Sequence, residues 1–74
     1  MGETELKKEL MQINEEFKEV VEMHQKYDKD LEKLESKEHL SEDEKLEIRE
    51  LKKKKLALKD RMYVMMTEYR KSLE

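Results

Sequence analysis

Apolar residues fall at Leu6, Leu10, Ile13, Phe17, Val20, Tyr27, Leu31 and Leu34, with His24 in step between Val20 and Tyr27. The intervals alternate four and three. That spacing lines one face of an α-helix in heptads and matches no strand, whose side chains alternate every second residue. Strong helix formers, mainly Glu and Lys, fill the positions between. The pattern predicts one unbroken helix, helix one, from Thr4 to about Glu38, roughly 50 Å long at about 1.5 Å per residue. Charged residues make up 50% of the chain. A disordered polyampholyte would not hold this register, so the charges belong on the outside of long helices.

Past Leu34 the register lapses. Ser41-Glu42-Asp43-Glu44 reads as a capping box, in which Ser41 accepts from the Glu44 amide and Glu44 reaches back to the Ser41 amide. The three acids also suit the positive end of the helix that follows. The turn is therefore placed at 37–41, and helix two runs from Glu42 to about Ser72. Its seam is Ile48, Leu51, Lys55, Leu58, Met62, Met65 and Tyr69. A short loop makes the two helices antiparallel neighbours, and facing residues carry numbers summing to roughly 80. Leu34 then faces Ile48, Leu31 faces Leu51, Val20 faces Met62, Phe17 faces Met65, and Ile13 or Leu10 faces Tyr69. The expected fold is all-α: one domain over residues 1–74, a two-helix antiparallel hairpin of coiled-coil type. So small a hairpin has little core, and dimerisation into a four-helix bundle is the expected way to enlarge it.

Several kinds of chemistry are excluded by what the chain lacks. There is no cysteine for disulfides or thiolate ligands, and the one glycine, Gly2, cannot build a phosphate loop. His24 and His39 lie on different elements, too far apart in sequence for a metal motif. The longest apolar run, Met62 to Met66, is far below the roughly 20 residues of a membrane span. The N-terminus lacks the apolar centre of a secretory signal, and Leu6 stands where myristoylation after Gly2 wants Ser or Thr. A cytoplasmic protein without cofactor is expected. An enzyme is not expected, because no nucleophile, oriented base and walled pocket come together.

Three groups of residues remain as candidates for function. His24, Tyr27 and Lys55 meet in mid-seam. There the lysine can lay its methylenes on the core and send its ammonium to Asp28, and a polar residue can fix register. Helix two also carries Leu56, Tyr63 and Met66 off the seam, where a single partner helix cannot cover them. Exposed apolar surface of that kind marks a contact with a partner, here a second copy or another helical protein. Finally, Lys52, Lys53, Lys54, Lys59 and Arg61 belong to a stretch, 52–61, with net charge +5, whereas residues 1–38 carry −5. This basic patch offers weak nucleic-acid or polyanion binding as an alternative function. The acidic balance of the whole chain, pI about 5.5, and the absence of Trp count against it.

His24-Gln25-Lys26-Tyr27-Asp28 followed by Leu31, and Leu51-Lys52-Lys53 with Lys55-Leu56, Leu58-Lys59-Asp60 and Met62, resemble the two signature segments of the YdcH-like family of small bacterial proteins. Phe17 falls where that family carries an aromatic residue before the histidine. Tyr27 replaces the leucine associated with its position, and the turn from Leu40 to Glu44 is this chain's own. The resemblance spans roughly Ile13 to Tyr69. It implies an antiparallel helical hairpin in the bacterial cytoplasm and implies no activity, because the family's function is unknown. The residues themselves point to a non-enzymatic protein-interaction or self-association module.

Overall fold

A computed structural model describes residues 2–74, all of it helix and connecting turns. There are three helices, where the heptad pattern predicts two: α1 is Glu3–Ile13, α2 is Glu15–Glu35 and α3 is Glu42–Ser72. α3, about 46 Å long at about 1.5 Å per residue, sets the 50 Å length of the molecule.

The expected unbroken helix one is divided at Asn14. This residue takes an extended conformation, φ −130° and ψ 106°, and caps both neighbours. Its amide donates to the Leu10 carbonyl at 2.9 Å, and its side-chain Oδ1 accepts from the Phe17 amide at 3.0 Å. Glu15 and Glu16 then sit in the first turn of α2, where the helix dipole favours negative charge. An asparagine followed by two acids is a helix start, and the continuous heptad conceals it.

The break turns α1 back along the hairpin. Thr4 lies beside Met62, Tyr63 and Met66, while the Tyr69 hydroxyl donates to the Glu9 carboxylate at 2.6 Å. Residue numbers therefore rise together on α1 and α3, so α1 runs parallel to α3 and antiparallel to α2. In this position Leu6 is 1% exposed and Leu10 3%, clustered with Phe17, Val20, Val21, Met62 and Met66. In a straight helix Leu6 would project past the end of α3 with nothing to pack on. Burying a leucine contributes about 1.5–3 kcal/mol, whereas each helical hydrogen bond exchanged for water or a cap costs about 1 kcal/mol net. Two buried leucines plus covered methionines outweigh the break. Ile13, expected in the seam, is 63% exposed at the corner instead.

Beyond α1 the hairpin forms as the pattern predicts. α2 and α3 are antiparallel and cross-linked by the ion pairs Glu16–Arg61, Asp28–Lys55 and Glu35–Lys52. Leu31 and Leu51 are buried, as are Val20 and Met62. α2 ends at Glu35, three residues before the expected Glu38, because Ser36 turns its hydroxyl back to the Lys33 carbonyl at 2.8 Å. The capping box at Ser41 forms in both directions, with the Glu44 amide 3.1 Å from Ser41 Oγ and the Ser41 amide 3.0 Å from Glu44 Oε1. Lys37 closes the turn onto the same carboxylate, and holds the Glu44 carboxyl down to about 2.

Candidate interaction surface

The seam cluster sits where α2 and α3 face each other at mid-length. Asp28 and Lys55 form a hydrogen-bonded ion pair, which holds the Asp28 carboxyl below its ordinary range. Lys55 is half-buried, its stem on the core and its ammonium at the edge, as a snorkelling lysine should be. Lys54 lies 6.0 Å from the centroid of the Tyr27 ring, the outer limit of a cation–π contact. His24 is half-buried, and its Nε2 atom is closed off from solvent with no hydrogen-bond partner. Burial lowers its pKa first, and the charges of Lys55, Lys7 and Lys59 lower it further, against the pull of Asp28. Lys7 belongs to α1, so the folded-back helix helps keep His24 neutral. His24 and Lys55 lie within electrostatic reach of each other, while the Tyr27 ring lies near Lys54. The cluster holds no nucleophile aimed at a base, and its chemistry is that of a satisfied ion pair and an uncharged imidazole.

The apolar residues assigned to an exposed edge divide into two groups. Leu56 is 60% exposed and Tyr63 70%, one heptad apart on the outer face of α3. Met66 is 9% exposed, because α1 lies over it. It belongs to the core, so its assignment to a free surface is corrected. Nothing in a two-helix reading could have covered it. Leu56 also borders a solvent-open groove between the hairpin helices, with Asp28, Leu31, Glu32 and Glu35 on one side and Lys52, Lys55 and Lys59 on the other.

The basic patch is partly neutralised within the chain. Lys52 reaches Glu35 at 3.8 Å and Arg61 pairs with Glu16, both across the hairpin. Lys53, Lys54 and Lys59 are exposed and make no ion pair among the described residues. Neither pair was legible from local sequence. Each depends on the antiparallel register, which sets α2 carboxylates opposite α3 cations. No group of His, Cys, Asp and Glu residues suited to a metal ion occurs among the described residues, and no described helix is long and apolar enough to cross a membrane.

A long charged hairpin with an ion-paired seam and a further helix folded against it defines a class: small all-helical proteins. The chain belongs to the family described as "Protein of unknown function (DUF465)", whose model matches residues 17–66, and this is the family that the YdcH-like resemblance indicated. The matched segment is the hairpin itself, from Phe17 in α2 to Met66 in α3, and α1 lies outside it. No curated protein and no solved structure matches the chain.

Proposed function

We propose that the protein is a non-enzymatic helical interaction module that associates with a second copy of itself through the outer face of α3. The carrying observation is the exposure of Leu56 and Tyr63, one heptad apart, with Lys59, which makes no ion pair among the described residues, between them. On the outside of α2, Glu19, Glu22 and Lys26 surround the exposed Met23, with a net negative charge. Basic-apolar α3 and acidic-apolar α2 are complementary, so a second hairpin offers each copy the surface it lacks. Such a contact would also enlarge a core that is small for an isolated chain. The cross-hairpin pairs at Lys52 and Arg61 draw charge from the basic patch, which favours this reading over polyanion binding.

Sedimentation equilibrium across micromolar concentrations tests it. The wild-type chain should be dimeric, and the double variant Leu56→Glu/Tyr63→Glu should be monomeric with unchanged helical circular dichroism, because neither side chain supports the core. A wild-type chain that stays monomeric, or a variant that dimerises as tightly as the wild type, would refute the reading.

A further inference from the structure

We propose that α1 is an exchange arm: the groove of α2 and α3 that holds it also accepts α1 of a second copy, with residues 3–35 becoming one continuous helix. This uses the groove between α2 and α3, whose edge Tyr63 shares with Thr4, and it does not require the Leu56–Tyr63 contact between copies. Three observations carry it. First, the heptad from Leu6 through Ile13 to Phe17 continues across Asn14 without a slip, so the chain is patterned for a helix that the folded-back form interrupts. Ile13, a seam position in that pattern, is the residue the break strands in solvent at 63% exposure.

Second, the connection between α1 and α2 is the single residue Asn14, held by hydrogen bonds to its own neighbours in sequence. A short hinge between two packed helices is the arrangement that invites exchange, because straightening it breaks few contacts. Third, the family model matches the hairpin and stops short of α1. The matched stretch thus holds the groove but not the arm.

The polarity also closes. α1 runs parallel to α3 and enters the groove from the end where Tyr69 binds Glu9. Straightened, it leaves that same end and enters a second hairpin placed tail to tail, in the same direction as the arm it displaces. The contacts of Leu6 and Leu10 with Met62 and Met66 are then remade between chains, and two-fold symmetry satisfies both copies.

The test uses the full chain carrying Leu56→Glu, which weakens the outer-face contact and lies away from the α1 seat. Adding Asn14→Ala removes the cap and favours helix at the hinge. The expected result is a dimer whose dissociation constant is lower than that of the Asn14 chain by about tenfold or more, since two hinges straighten per dimer. The chain has no native cysteine. Mixing one copy bearing Glu9→Cys with another bearing Tyr69→Cys should then give an interchain cross-link with a short bismaleimide. A short Gly-Ser insertion after Asn14, which lets the arm fold back freely, should abolish both signals. A monomeric Asn14→Ala chain, or a dimer without the 9–69 interchain cross-link, would overturn the proposal.

Discussion

His24 shows how one side chain ties the stability of this chain to pH. Its Nε2 is sealed without a partner among three lysine side chains, so the folded protein binds a proton there less readily than the unfolded chain. Where the unfolded state binds more protons, acidification destabilises. The contribution of a neutral His24 is therefore complete above its ordinary value of 6.5 and is lost as pH falls toward the lower folded value. The Asp28 and Glu44 carboxyls act in the same direction in a separate, more acidic window. Theirs begins below 3.8 and 4.5 respectively, and for Glu44 it extends down to about 2. Thermal melting should fall in two steps on acidification, and His24→Gln should remove the upper step while leaving the lower. A melting temperature that is flat between pH 7.5 and roughly 5 would contradict the placement of the imidazole.

The helices differ in how much packing each contributes, and mutation should expose the break at Asn14 directly. Phe17 is fully buried where all three helices meet, so Phe17→Ala should cost about 3–5 kcal/mol. Ile13→Ala, one turn earlier and in the same heptad register, should change stability by less than about 0.5 kcal/mol because the side chain is in solvent. Denaturant unfolding of the two variants measures both. Equal losses would mean a straight helix one. The hairpin was legible in the sequence because its signals are local and periodic: the Ser41 capping box, the seam of α3 and the lysine aimed at Asp28 all form as read. The corner was hidden because the heptad runs through Asn14 unchanged. Only the competition between a straight helix with Leu6 unpacked and a bent one with Leu6 buried decides the outcome, and that is a tertiary effect. Val21 was missed for the same reason. It lies off the heptad and is buried by a helix that a hairpin does not possess. The same helix covers Met66.

At the scale of the whole molecule, charge is separated along the chain: residues 1–38 carry net −5 and residues 39–74 net +2. Folding sets these halves against each other, and the pairs at Glu16–Arg61, Asp28–Lys55 and Glu35–Lys52 run the length of the hairpin. Such exposed pairs contribute little individually to stability, but they oppose like-charge mispairing and so favour one register. α1 then closes one face of the bundle and leaves the Leu56–Tyr63 face open. The covered face and the open face both depend on α1 lying against α3. Proton NMR on the methionine and leucine methyls tests that placement most directly. The account predicts nuclear Overhauser contacts from Leu6 and Leu10 to Met62 and Met66, with the helical amide pattern interrupted at Asn14. An uninterrupted helical pattern from residue 4 to 35, with no contact between the Leu6 methyls and any methionine of α3, would contradict it.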